Sequence, residues 1–227
     1  REGGVPLWAS ADVIVDGTTI SGITLAMQDG LTVAGRLEFD ADGVDAPDNF
    51  SRARLLMLPA AGGAVNVMVA TGPNALGQTT ISPDGRFAIP GLTPGPYRVS
   101  ANFNTPEANW VLKSAIIKGK DALDLPFTLE PSDTITDAVL TFTNRTQELS
   151  GTLSDASQRP APDYTIVIFP EDRALWGSTR RIRTARPGTD GRYTIANLPA
   201  GAYRLAAVTD IGPEEARDQA VLTDLLA

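Results

Sequence analysis

A chain of 227 residues with 42% hydrophobic and 20% charged side chains has room for one large core or two small ones, and its composition is neither disordered nor fibrous. Its 27 acidic residues against 19 basic ones leave a net charge of −8, which argues against nucleic acid or anionic lipid as the main partner, because phosphate binding needs a positive footprint. The absence of Cys removes disulfides, thiolate zinc sites and thiol nucleophiles; the absence of His removes Ser-His-Asp and Cys-His machinery and the commonest metal ligand, so no enzyme activity and no cofactor is expected.

The chain opens at Arg1 without Met or a signal peptide and stops at Ala227 after an apolar Leu225-Leu226 pair, so both ends read as cuts from a larger protein. Trp8 to Gly17 (WASADVIVDG) shares its Trp-x8-Gly spacing with Trp110 to Gly119 (WVLKSAIIKG) and reads as the tail of a preceding repeat. Ile23, Leu25 and Met27, then Leu31, Val33, Leu37 and Phe39, alternate with polar positions at the period of a half-buried strand. The stretch from Leu55 to Pro83 carries no charge, but Pro59, Gly62, Gly63, Gly72 and Pro73 interrupt it, which predicts two buried strands and their loops instead of a membrane span. Strand signals recur every ~8 to 12 residues thereafter, as in sandwich folds. A short terminal helix is predicted after Gly212, with Pro213 in its first turn, Glu214 and Glu215 favoured by the dipole, and Val221, Leu222 and Leu225 along one side.

One internal repeat organises the whole. Asp84 to Arg98 (DGRFAIPGLTPGPYR) aligns without gaps on Asp190 to Arg204 (DGRYTIANLPAGAYR), giving D-G-R-[FY]-x-I-x-x-L-x-x-G-x-Y-R. Upstream, Ala53 to Pro59 corresponds to Tyr164 to Pro170, and Leu31 to Phe39 to Gln147 to Asp155. Asp84-Gly85 and Asp190-Gly191 supply the positive φ of a tight hairpin turn. The clusters holding Gly95 and Gly201 let the chain cross between sheets, and Tyr97 and Tyr203 open long strands where a buried ring can reach corner backbone with its hydroxyl.

This repeat resembles the signature of carboxypeptidase regulatory-like domains. The resemblance implies an all-β chain of two tandem immunoglobulin-like or transthyretin-like β-sandwich domains, plus an N-terminal strand pair from a preceding repeat. Residues 1–30 would be the terminal strands of that repeat, 31–130 the first sandwich, 131–146 a linking strand or connection, and 147–227 a second sandwich lacking its last strands. Domains of this kind occur in tandem in large bacterial extracellular or cell-surface proteins as spacers, adhesive modules or carbohydrate-associated appendages, sometimes accessory to a separate enzyme. The zinc carboxypeptidases' histidine-bearing metal motif is absent here, so no catalytic residue carries over. A spare strand pair at one end and a missing one at the other suggest pairing with other domains or like subunits by strand complementation.

Three residue groups remain as candidate sites. Gly72 to Thr79 fits G-x4-G-x-T, but Gln78 stands where a phosphate-binding loop needs Lys, and it reads as a plain loop. Asp40, Asp42, Asp45 and Asp48 crowd one loop, either a solvated acidic turn or a calcium site without EF-hand spacing. Arg173, Arg180, Arg181, Arg183, Arg186 and Arg192 gather around Trp176; they form either a platform for a saccharide or protein partner, surface glycans included, or an arginine-rich strand face with Trp176 packed under its own loop. Trp8 and Trp110 read as plugs, the sequons at Asn49 and Asn144 as accidental, and Lys113, Lys118 and Lys120 receive no role.

Overall fold

A computed structural model describes residues 7–50, 52–60, 79–145, 147–209 and 211–226 of the chain. The protein is all-β apart from short helical turns, and its contacts divide it into two units, Arg1–Asn144 and Arg145–Ala227. The expected strand inside residues 61–78, and the loop from Gly72 to Gln78, lie outside the described residues. No helix among the described residues is long and apolar enough to cross a membrane.

The first unit opens with two short strands, β1 (Leu7–Trp8) and β2 (Gln28–Asp29), paired antiparallel, with the Trp8 indole N–H donating to the Asp29 carbonyl at 3.1 Å. The residues between them form no strand. Then follow β3 (Leu31–Asp40), β4 (Arg54–Pro59), β5 (Thr80–Ile81), β6 (Arg86–Leu92), β7 (Gly95–Asn104), β8 (Asn109–Ile117), β9 (Lys120–Asp121), β10 (Phe127–Leu129) and β11 (Ile135–Thr143). One set runs β5-β6-β3-β11-β8, with β9 on β8; another runs β4-β7-β10; and β7 joins β8 where Phe103 faces Trp110. Val33 and Leu37 of β3, Phe87 and Ile89 of β6, Val99 and Phe103 of β7, Leu129 of β10, and Leu140 and Phe142 of β11 share one core.

Two expectations fail here. Residues 131–146 are more than a linking strand: β11 lies inside the first unit, parallel to β3 and antiparallel to β8, with Leu140, Phe142 and Ala138 wholly buried, and the chain passes to the second unit only after Asn144. It sits so tightly on β3 that a Cβ at Gly35 would collide with the Ala138 carbonyl, which is why glycine stands there. The first strand of the uncharged stretch, β4, is only half buried, because Leu55 enters the core while Leu56 and Leu58 face outward.

The second unit comprises β12 (Glu148–Thr152), β13 (Thr165–Pro170), β14 (Arg183–Ala185), β15 (Arg192–Ala196), β16 (Tyr203–Val208) and α1 (Gln219–Asp224). β12 pairs with β15, and β13 lies between β14 and β16. Every residue of β13 is buried, because both of its faces are covered. Ile166 and Ile168 pack with Ile195, Leu149 and Tyr203. Val167 and Phe169 pack on the other side with Trp176, Ile182, Ala216 and Leu222. The terminal helix starts later than its sequence suggests. Glu215–Arg217 forms a 3-10 turn, Asp218 leaves helical geometry, and its carboxylate accepts the Ala220 N–H at 2.7 Å to cap α1.

The two units share a register residue by residue. Gly35 faces Phe87 and Val33 faces Ile89 in the first; Gly151 faces Tyr193 and Leu149 faces Ile195 in the second. Pro59 faces Tyr97 and Leu55 faces Ala101, as Pro170 faces Tyr203 and Ile166 faces Ala207. Thus β12, β13, β15 and β16 repeat β3, β4, β6 and β7. Among the described residues the second unit has no counterpart of β8, β10 or β11.

Candidate interaction surface

The repeated motif builds two matching corners. Asp84 accepts the Arg86 N–H at 3.3 Å and Asp190 the Arg192 N–H at 3.0 Å; Gly85 and Gly191 sit at φ +78° and +77°, which glycine reaches without strain. Each glycine carbonyl then accepts an N–H from the neighbouring strand, Leu37 or Leu153, at 2.8 Å. Four residues before each tyrosine a carbonyl receives its hydroxyl, Thr93 from Tyr97 at 3.0 Å and Pro199 from Tyr203 at 2.7 Å. Gly95 and Gly201 lie two residues before those tyrosines, both at positive φ. These eight motif residues, Asp84, Gly85, Gly95, Tyr97, Asp190, Gly191, Gly201 and Tyr203, hold turns and corners.

The proposed platform at Trp176 is corrected by its burial: the side chain is only 5% exposed, and its indole N–H donates to the Pro170 carbonyl at 2.8 Å. Its ring meets Phe169 edge-on at 5.9 Å and plugs the second face of β13. Arg173 covers it, with the guanidinium carbon 5.3 Å from the ring centre. The other arginines do not converge on it. Arg181 donates to the Ala200 carbonyl at 3.0 Å and the Tyr203 hydroxyl at 2.9 Å, bracing the corner; Arg183 belongs to β14, Arg180 to the turn before it, and Arg192 pairs with Asp190. The bracing role of Arg181 had no signal in the sequence, since its partners lie about twenty residues on.

The acidic loop is likewise no cation cage; no cluster of three or more metal-ligating side chains exists among the described residues. Asp40 pairs with Lys113 at 2.8 Å, while the backbone of Asp42 exchanges two 2.7 Å hydrogen bonds with the side chain of Asn144. Asp45 and Asp48 line a cavity of about 640 Å³ with Arg52, Glu107 and Trp110. Trp110 itself is buried edge-on against Phe39.

What residue-type reasoning missed is a groove of about 360 Å³ in the second unit, where Leu149, Ile168, Leu198, Tyr203 and Leu205 line the wall together with the polar Gln147 and Glu148. By register, Leu149, Leu198, Tyr203 and Leu205 stand where the first unit has Val33, Leu92, Tyr97 and Val99. Those four are buried in the core that β8, β10 and β11 complete: Ile135 pairs with Val33, and Phe127 packs on Tyr97. Val99 is 6% exposed and its counterpart Leu205 is 45% exposed. Beside the groove, β12 is paired with β15 alone among the described residues, whereas β3 is paired on both edges. The second apolar surface is the stretch between β1 and β2, where Val13, Ile14, Val15, Ile23, Leu25 and Met27 all face solvent.

No protein-family model matches the chain, and no curated protein matches it. Among solved structures it is similar to a protein of Bacteroides ovatus described as a putative adhesin, at 13% identity over 80% of this chain and 69% of that one. The TM-score is 0.25, too low for the likeness to bear on fold or role.

Proposed function

We propose that this chain is a non-catalytic interaction module, two tandem β-sandwiches of carboxypeptidase regulatory-like kind within a larger exported cell-surface protein. It takes an extended protein strand along the open edge of β12. The observation that carries this reading is the row of Leu149, Leu198, Tyr203 and Leu205, exposed to different degrees in the second unit at positions that three further strands bury in the first. Apolar side chains left uncovered beside an unpaired edge form the recognition surface of β-augmentation, in which main-chain hydrogen bonds give affinity and side-chain pockets give specificity. A saccharide platform finds less support, because the aromatic ring it requires is buried at Trp176.

The test is an NMR titration of the protein with a short extended peptide of alternating Leu and Thr, run beside a panel of neutral and anionic oligosaccharides. Shifts of the methyl groups of Leu149, Leu198 and Leu205 with the peptide, and none with the sugars, are expected. Saturable sugar binding, or a peptide that leaves those methyls unmoved, would overturn the reading.

A further inference from the structure

A sheet edge open among the described residues, beside a groove holding Leu149, Leu198 and Leu205, suits an occupant of matching pattern, and the chain itself carries one. Ile20-Ser-Gly-Ile-Thr-Leu-Ala-Met27 aligns without gaps on Ile135-Thr-Asp-Ala-Val-Leu-Thr-Phe142, so that Ile20, Ile23, Leu25 and Met27 fall on Ile135, Ala138, Leu140 and Phe142. The matched residues are the core-facing set of β11. Trp8 to Gly17 matches Trp110 to Gly119, the β8 stretch. β1 and β2 also join these two stretches antiparallel near the ends where β8 and β11 are joined, one residue out of the β8–β11 register: Trp8 faces Gln28, whereas Thr143 faces Val111, the residue after Trp110. Residues 8–28 therefore carry the pattern of a β8–β11 arm, and the described residues of the second unit form counterparts of β3, β4, β6 and β7 with none of β8 or β11.

Resting on the strand-acceptor reading above, we infer that the occupant of the β12 edge is the Ile20–Met27 segment of a second copy of this chain, laid parallel to β12 as β11 is laid parallel to β3. The first unit fixes the register. Ala138 faces Gly35 and Leu140 faces Leu37, which sets Ile23 against Gly151 and Leu25 against Leu153. A shift by one residue would turn Leu25 away from the groove, so the pairing is specific. Leu25 is 56% exposed in the free chain, whereas Leu140 is fully buried; in this register Leu25 comes beside Leu153 and Ile20 beside Leu149, and covering them removes apolar surface from water on both partners. Donor and acceptor are different segments, one in each unit, so the contact is head to tail and each chain keeps a second segment with which to pair.

Sedimentation velocity on the full chain over a range of concentrations tests this. Wild type is expected to grow from monomer to dimer and longer species. Leu25→Asp breaks the donor and Leu205→Asp the acceptor; each should weaken self-association on the order of a hundredfold, as loss of a central interface anchor does. Both residues are exposed, so circular dichroism should be unchanged. Mixed together, the two variants should recover a complex that stops at two chains, because one retains the acceptor and the other the donor. Wild type that stays monomeric at every concentration, variants that still assemble, or a mixture that does not pair would each overturn the inference. A monomeric chain whose groove still takes the Leu/Thr peptide would leave the strand-acceptor reading standing; failure of both would remove both.

Discussion

Trp176 and Trp110 show how little a residue type says about its own role. Both rings are buried, Trp110 against Phe39 in the first core and Trp176 against Phe169 on the second face of β13. Around Trp176 the arginines suggested a platform, yet the buried indole N–H–Pro170 hydrogen bond and the Ile182–Leu222 packing make it part of a core. Trp176→Ala should therefore cost about 3–5 kcal/mol, the range for deleting a buried aromatic, and it should do so whether or not any ligand is present. Chemical denaturation followed by circular dichroism measures this; a loss below about 1 kcal/mol would place the ring outside the core. At the same scale the Asp-Gly turns and the tyrosine corners were legible in the sequence, because their chemistry is local: Asp84 caps Arg86, Gly85 supplies φ +78°, and Tyr97 reaches back only to Thr93. The brace from Arg181 to Tyr203 was not, because its two ends are brought together by the fold alone.

Between neighbouring elements, short polar loops do the joining, and one of them is held by a titratable carboxylate. After β12, Asp155 accepts the Arg159 N–H at 2.9 Å and the Ser157 N–H at 2.8 Å, and its other oxygen receives the Arg159 guanidinium at 2.9 and 2.8 Å. Led by the Arg159 backbone bond, these donors hold the carboxyl below its ordinary 3.8. A folded value depressed below the unfolded one means that the turn's contribution is present in full above the ordinary carboxylate range and is lost as pH falls through the folded value. An NMR titration should show the Asp155 carboxyl changing together with the Arg159 amide, at a pH below that of an unfolded-chain aspartate; a titration at or above the ordinary value would contradict the geometry. The existence and correspondence of strands were legible wherever the repeat carried them. The place of β11 was not: a parallel neighbour is reached by a crossover of about a hundred residues from β3, and no local pattern distinguishes such a strand from a connection. Nor could periodicity tell that β13 is covered on both faces while β4 is covered on one, since both read as short apolar runs.

Across the whole molecule, one strand plan is used twice to different extents. The first unit carries β3, β4, β6 and β7 and closes its core with β8, β10 and β11. The second carries the same four in the same register and covers the outer face of β13 with the 3-10 turn at Arg173–Gly177 and α1. Its inner face is left with the Leu149–Leu205 groove. The internal repeat, legible from Asp84 to Arg98 and Asp190 to Arg204, pointed to this duplication; the groove became visible only when exposure at equivalent positions was compared. Hydrogen–deuterium exchange on β12 reads the consequence directly. In dilute protein, the amides of Ser150 and Thr152, which alternate with those bonded to β15, should exchange rapidly; with added Ile20–Gln28 peptide they should become protected while β15 stays unchanged. Slow exchange of these amides in the dilute chain, or no protection by the peptide, would contradict an open, strand-accepting edge.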